Sequence, residues 1–252
     1  MSGLVLRNGE WVVEPDTNLA NLGLTTVDIT DGSWSFVDIN TDIKTQALED
    51  GAVKVTTNAI AAGNINLFTQ VAYYGARWYK KLTDADGTQL TLNDKFIMIV
   101  LQQPLSSSNP SPFGFCCGFS KTPLTTGSTT QHNQGWAASA VFNDSAGNTS
   151  TGTDNDFGQQ IISAGGQMGD ANLDHDSIAR TNISYNNKRG RISTSISNKN
   201  TQISKNIITF TGSVDLYIQV GFGSKYNTVT ALEDAEHKQK IQYGIIKLSA
   251  EQ

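Results

Sequence analysis

The sequence is short of charge, and it has no long apolar run. Charged residues make up 16% of the 252 residues, and the net charge of −5 gives a pI near 5.1. A nucleic-acid-binding domain normally carries a basic face, so this charge balance argues against that class. No apolar run approaches the roughly 18 residues that a membrane helix needs. We therefore expect neither a nucleic acid nor a membrane as a partner.

The sequence is equally short of cysteine, with only Cys116 and Cys117. Adjacent residues of a strand point to opposite faces, so a bridge between these two would need strained local geometry. They are interpreted as free thiols that fill the core. The N-terminus lacks an apolar segment long enough for a signal peptide, which predicts synthesis in a cytoplasm without classical export.

Strong helix formers are scarce, whereas Thr, Ser, Asn and Gly are abundant, and this composition favours many short strands joined by polar turns. Residues 96–101 are continuously apolar, which is typical of a strand buried on both faces. Residues 216–221 alternate between Leu216, Ile218 and Val220 and a more polar set, which predicts a second central strand. The sequence therefore predicts an all-β protein.

The remaining patterns predict the connections. Asp86-Gly87 between two alternating runs predicts a hairpin. The prolines at 104, 110 and 112 predict a loop over residues 103–112, because proline interrupts a strand ladder. Residues 143–157 are interpreted as a long surface loop, and residues 41–49 and 231–240 as the only plausible helical turns.

About a dozen strands without intervening helices predict a two-sheet antiparallel jelly-roll sandwich. We expect a single β-sandwich domain over residues 27–252. Residues 1–26 have weak periodicity and are interpreted as an extended N-terminal arm.

One dense aromatic group, Trp78 with Tyr73, Tyr74 and Tyr79, has two interpretations. Alternating aromatic residues in a strand are usually core residues, but exposed ones can form a platform for sugars. Together with two polar loops, this group supplies the candidate glycan or partner contacts, which are Tyr74, Trp78, Asp156 and Asp170.

Catalytic and metal-binding patterns are weak. Asp170, Asp174 and Asp176 could offer oxygens to Ca²⁺, but their spacing matches no calcium-binding loop, so no metal or other cofactor is predicted. The three histidines lie in polar contexts without a nucleophile motif. A glycanase would need two carboxylates facing one cleft, and no predicted strand shows alternating acidic residues. The sequence is therefore expected to be non-enzymatic, with a glycanase as the least favoured alternative.

The N-terminal arm carries apolar side chains, including Leu4, Leu6 and Trp11, without an evident element to pack against. Burying them on a neighbouring subunit would stabilise a homo-oligomer. Alternatively, the arm folds back along an edge of its own sheet and covers exposed ladder groups.

The order of elements through residues 78–82, 96–100, 113–119 and 216–223 resembles the concanavalin A-like jelly-roll sandwiches, including those in virion proteins of tailed bacteriophages. That resemblance implies a binding or assembly module. The first hypothesis is a structural virion protein of the decoration, fibre or knob type, made in the host cytoplasm and contacting other virion proteins. The alternative is a carbohydrate-binding, lectin-like module.

Overall fold

The computed structural model describes residues 4–7, 10–13, 23–38, 43–58, 76–108, 113–123, 136–143, 149–155, 179–186, 191–196, 201–206, 214–224 and 236–248. Every regular element in these ranges is a β-strand. In chain order the strands are β1 (Leu4–Arg7), β2 (Glu10–Val13), β3 (Thr25–Thr26), β4 (Ser35–Asp38), β5 (Ile43–Glu49), β6 (Ala52–Thr57), β7 (Ala76–Lys81), β8 (Phe96–Ser107), β9 (Phe113–Ser120), β10 (Trp136–Asn143), β11 (Thr149–Asn155), β12 (Ala179–Asn186), β13 (Arg191–Ile196), β14 (Thr201–Asn206), β15 (Tyr217–Ser224) and β16 (Glu236–Lys247). Within the described ranges, no helix has the length and apolar character needed to cross a membrane.

Two antiparallel sheets face each other and confirm the predicted all-β sandwich. The six-stranded sheet has the order β11-β10-β9-β15-β7-β4, and the eight-stranded sheet has the order β14-β13-β12-β8-β16-β6-β5, with β3 paired to β16. One core cluster draws buried residues from both sheets. For example, the rings of Phe96 on β8 and Phe119 on β9 meet edge to face with centroids 4.9 Å apart.

Strand β8 is buried on both faces, as its continuous apolar run predicts. Phe96, Met98 and Val100 belong to the core between the sheets. Ile97, Ile99 and Leu101 lie on the other face and pack with partly buried Leu24, Ile246 and Leu248. Strand β15 is likewise central, between β9 and β7.

The predicted hairpin at Asp86-Gly87 is confirmed. The amide of Leu90 donates to the carbonyl of Leu82, and the amide of Asp84 donates to the carbonyl of Thr88 across the turn. Each of these two N···O distances is 2.9 Å. Gly87 has a φ of 81°, a left-handed conformation that glycine adopts without strain. Asp84 Oδ1 accepts the Thr88 amide at 2.8 Å, so this acidic residue serves the turn.

The prediction of a loop over residues 103–112 is wrong for residues 103–107, because β8 continues through Pro104 to Ser107. Pro104 lies opposite Gln239, and the register shifts between Lys238 and Gln239, so the strand passes the proline at an irregularity in the ladder. Pro110 and Pro112 lie outside the described residues.

Three other assignments are wrong. Residues 43–49 form β5, and β16 begins at Glu236, so neither predicted helical turn holds there. Within residues 143–157, Thr149–Asn155 forms the edge strand β11. In β16, Glu236, Lys238 and Lys240 recur at every second position and so lie on the outer face, where Lys238 meets Glu49 at 2.8 Å. Lys54 of β6 meets the same carboxylate at 3.1 Å.

The N-terminal segment contains regular pairing that its weak periodicity did not predict. Strands β1 and β2 form a two-stranded antiparallel sheet of their own. Asn8-Gly9 separates them in the sequence, and this dipeptide is a strong hairpin signal. Strand β3 joins the sandwich through Thr25 and Thr26, paired with Tyr243 and Gln242 of β16.

Candidate functional site

The candidate site lies on the outer face of the six-stranded sheet, over its three central strands β7, β15 and β9. Alternation decides which residues reach this face. Leu216, Ile218 and Val220 belong to the core, so Tyr217 and Gln219 point outward. The same reasoning puts the outer positions of the three strands at Arg77, Tyr79, Lys81, Tyr217, Gln219, Gly221, Gly223, Gly114, Cys116, Gly118 and Ser120.

Eight of these eleven outer positions are buried, and one row among them is closely packed. Arg77, Gly221 and Cys116 are paired neighbours across the three strands. Arg77 is 0% exposed, and its Nη1 donates to the carbonyl of Ala76 at 2.9 Å. A Cβ atom at Gly221 would stand 2.5 Å from Cys116 Sγ and 2.9 Å from Arg77 Nη1. Glycine is therefore needed at this position so that the guanidinium can lie against the strand, and the row does not offer an open surface.

The adjoining rows carry the partly exposed aromatic residues. Tyr79 and Tyr217 are both partly exposed, and their rings meet edge to face with centroids 6.5 Å apart. Lys81 is the strand partner of Tyr217. We call Tyr79, Tyr217 and Lys81 the tyrosine surface.

Buried polar contacts hold this surface in place. Gln219 lies opposite Tyr79 in the register and is fully buried. Its Nε2 donates to Ser120 Oγ and to the carbonyl of Thr122, which ties β15 to the segment that follows β9. The Gln89 side chain donates to the Leu216 carbonyl at 2.9 Å and so fixes the start of β15. Both amides stabilise the backbone from which Tyr217 projects.

The charge next to the tyrosine surface is balanced and solvated. Lys81 Nζ lies 3.4 Å from Asp215 Oδ2, with side chains 63% and 41% exposed. An exposed pair of this kind contributes little to stability, so both groups remain available to a ligand.

The tyrosine surface is aromatic and polar. None of the outer positions of β7, β9 and β15 is an acidic residue. Among the residues whose side chains the structure describes, no group of three or more His, Cys, Asp or Glu could hold a metal ion. A tyrosine ring presents a flat apolar face and a polar tip, a combination that fits the faces and hydroxyls of a sugar.

Trp78, predicted as a possible glycan contact, is a core residue. Its side chain is 0% exposed and belongs to the cluster between the sheets. Its Nε1 donates to Gln46 Oε1 across the sandwich at 2.7 Å. The prediction is wrong because β7 turns Trp78 inward, whereas Tyr79, its immediate neighbour, faces outward.

The other predicted contacts are not brought together by the described part of the chain. Tyr74, Asp156 and Asp170 lie outside the described residues, as do Asp174 and Asp176 of the calcium candidate. Tyr217 belongs to the more polar set of residues 216–221, which the sequence did not single out as a contact. The signal that could have selected it is the alternation of this strand, which separates it from Leu216 and Ile218.

The assembly candidates Leu4, Leu6 and Trp11 lie in the N-terminal hairpin. Leu4 pairs with Val13 and Leu6 with Trp11, so these four residues share one face. That face is wholly apolar, whereas the opposite face carries Val5, Arg7, Glu10 and Val12.

No protein-family model matches the chain, and no curated protein matches it. Similar solved structures include the CBM2 module of the evolved Dit of Lactobacillus casei BL23 phage J-1, at 10% identity and a TM-score of 0.46, covering 88% of this chain and 94% of that one. A lectin from Bauhinia forficata in complex with GalNAc shows 10% identity and a TM-score of 0.47, with coverages of 89% and 98%. Alginate lyase Aly36B shows 11% identity and a TM-score of 0.45, with coverages of 86% and 99%.

The two facing antiparallel sheets agree with the predicted two-sheet sandwich. Likeness of this degree to a phage module, a lectin and a lyase assigns neither a ligand nor a reaction to this chain.

Proposed function

We propose that this chain is a non-enzymatic, carbohydrate-binding component of a virus particle, and that the glycan lies on the tyrosine surface. The observation that carries the proposal is the pair of partly exposed rings, Tyr79 and Tyr217, on the outer face of the central strands. The core of a sandwich needs its aromatic residues on the inner face, so this outward pair has no evident role in packing the two sheets together.

The tyrosine surface has the features that favour sugar binding. Its two rings are rigid because each has few rotatable bonds, so ordering them on binding costs little entropy. Lys81 and Asp215 stand beside the rings and supply a hydrogen-bond donor and an acceptor for hydroxyl groups. The strands β7 and β15 hold the rings on a rigid base.

The absence of acidic residues from the outer positions of β7, β9 and β15 supports binding without turnover. Hydrolysis of a glycosidic bond normally uses two carboxyl groups on either side of that bond. We therefore expect a bound polysaccharide to keep its length during prolonged incubation with the protein. Chain shortening that follows the purified protein would contradict the non-enzymatic part of the proposal.

Glycan-array binding followed by calorimetry tests the site. Tyr217→Ala is expected to weaken binding by about tenfold or more, because a central aromatic contact is worth at least ~1.4 kcal/mol. Tyr217→Phe keeps the ring and retains most of the affinity. Phe36→Ala is the matched control, since Phe36 is 41% exposed on the edge strand β4, away from this face.

The array result is conclusive only when the variants are folded, which thermal melting verifies. Equal binding by wild type and Tyr217→Ala would refute the site. Binding lost equally in Phe36→Ala would show that the effect is not local to the tyrosine surface.

The N-terminal hairpin favours a second function, assembly within the particle. Its strands β1 and β2 pair with each other and form a sheet separate from both sheets of the sandwich. The face that Leu4, Leu6 and Trp11 share is apolar, and burying it on a neighbouring subunit or virion protein would stabilise that contact.

Deletion of residues 1–22 tests the assembly role and leaves β3 in place. Sedimentation is expected to show an oligomer for the full chain and a smaller species for the deletion. The variant Leu6→Asp/Trp11→Asp should act like the deletion, whereas Val5→Asp/Val12→Asp changes the opposite face and serves as the matched control. A monomer in every case, with no binding to particle proteins, would refute this function.

A further inference from the structure

The exposed part of the outer face is a small corner of the six-stranded sheet. Of the eleven outer positions of β7, β9 and β15, Tyr79, Lys81 and Tyr217 are the three that reach solvent fully or in part. Tyr217 lies opposite Lys81 in the register, and Tyr79 is two residues away from Lys81 on the same strand. The three side chains are therefore neighbours and form one continuous patch.

The backbone that follows β9 closes one side of this patch. Ser120 Oγ donates to the carbonyl of Thr122 at 2.7 Å, and Gln219 Nε2 donates to the same carbonyl at 3.2 Å. Both donors are outer-face side chains, so the carbonyl that they reach lies above the outer face. Ser120 is the strand partner of Tyr217. A ligand on Tyr217 therefore cannot extend flat across β15 onto β9.

A buried row closes a second side. Arg77 lies two residues before Tyr79 on β7, and both Arg77 and its strand partner Gly221 are buried. The exposed surface therefore ends at Tyr79 in this direction. The patch is open toward the end of β7 and toward the edge strand β4, where Ser35, the strand partner of Tyr79, is exposed.

The two tyrosine rings do not form a flat platform. Their planes meet at 75°, with centroids 6.5 Å apart. In such an edge-to-face contact, the edge of one ring covers one face of the other ring. A linear glycan that stacks successive sugars on aromatic rings needs ring faces that are nearly parallel. These two rings instead form a right-angled corner, in which one sugar can lie on the face of one ring and touch the other ring with its rim.

Polar groups for the same sugar stand beside this corner. Lys81 Nζ and Asp215 Oδ2 are 3.4 Å apart, and both side chains are partly in solvent. Ammonium groups donate hydrogen bonds and carboxylates accept them, so the pair can serve two hydroxyl groups that are close together on one sugar ring.

We infer that the tyrosine surface holds a single sugar residue, at the end or branch tip of a glycan, and not a run of sugars within a linear polysaccharide. This inference rests on the proposed function and specifies the part of the glycan that is recognised. The remainder of the glycan leaves through the two open sides, toward β4 or toward the end of β7.

Competition by single sugars tests the inference. The probes are the methyl glycosides of the sugars that compose the strongest-binding array glycan. The methyl glycoside of its terminal sugar is expected to displace the whole glycan and to bind within about tenfold of its affinity, because no further sugar gains an aromatic contact. Binding of the glycan that no methyl glycoside displaces would overturn the inference.

Substitution of each ring separates one corner from two subsites. If one sugar touches both rings, Tyr79→Ala and Tyr217→Ala should each weaken binding of the same methyl glycoside by about tenfold. If each ring held its own sugar, one of the two variants would bind the methyl glycoside as the wild type does, and that result would contradict the inference. Phe36→Ala is the matched control, and thermal melting verifies that every variant is folded.

The inference and the proposed function fail in different ways. Binding that depends on Tyr217 but requires several linked sugars would refute single-sugar recognition and leave the proposed site in place. Equal glycan binding by the wild type and Tyr217→Ala would refute the site itself, and single-sugar recognition with it.

Discussion

Substitution of Gly221 by alanine tests the close packing of the outer face. Gly221 has no positive φ, so the backbone itself accepts a side chain. The new Cβ would meet Cys116 Sγ at 2.5 Å and Arg77 at 2.9 Å from Nη1 and 3.1 Å from Cζ. Arg77 is fully buried, so its guanidinium cannot swing into solvent. Overpacking of this kind costs about 1–3 kcal/mol, which lowers Tm by roughly 3–9 °C in a domain of this size.

A double-mutant cycle separates the two overlaps. Cys116→Ala removes the sulfur, so Gly221→Ala should cost about 1 kcal/mol less in that background, with the remainder due to Arg77. Gly51→Ala is the control, because Gly51 has a φ of 73° and nothing within 4 Å of the added Cβ. Its cost comes from backbone conformation alone and should not change with Cys116→Ala. The reasoning would be refuted if Gly221→Ala unfolded in urea at the wild-type midpoint.

Two further predictions concern stability. Trp78→Phe should destabilise the fold by about 1–4 kcal/mol in urea unfolding, because it leaves a cavity and removes the hydrogen bond to Gln46, while glycan binding stays unchanged; a loss of binding in the folded variant would contradict the core assignment. Burial alone would raise the pKa of Asp94, but hydrogen bonds from Thr91 at 2.8 Å and Lys247 at 3.0 Å outweigh burial, and the pKa lies below its ordinary value. The stability that Asp94 contributes is therefore present above about pH 4 and is lost as the pH falls below it. In thermal melts from about pH 5 to 2.5, Asp94→Asn should lose stability less steeply with acid than the wild type does, and an unchanged pH dependence would count against this contribution.

Hydrophobic pattern and turn residues are local properties, and from them the sequence by itself predicted the two central strands and one hairpin. The apolar run 96–101 and the alternation of 216–221 identified two central strands, and Asp86-Gly87 identified a hairpin. The errors arose where a local signal competed with sheet pairing. Pro104 lies within a strand because an irregularity in the ladder accommodates it, and residues 43–49 are extended because β6 supplies their hydrogen-bond partners.

Only the tertiary structure decided which face of each strand meets solvent. Trp78 and Tyr79 are adjacent aromatic residues, and their order in the sequence does not say which one faces the opposing sheet. Packing against the opposing sheet, where Gln46 of β5 accepts its hydrogen bond, buried Trp78 and left Tyr79 beside Tyr217, which is far away in the chain. The hydrogen bond that Gln102 donates to the carbonyl of Phe115 was equally hidden from the sequence, because it joins β8 and β9, which belong to the two facing sheets. The local sequence determines which side chains alternate, but contacts between distant parts of the chain determine which face of the strand is buried.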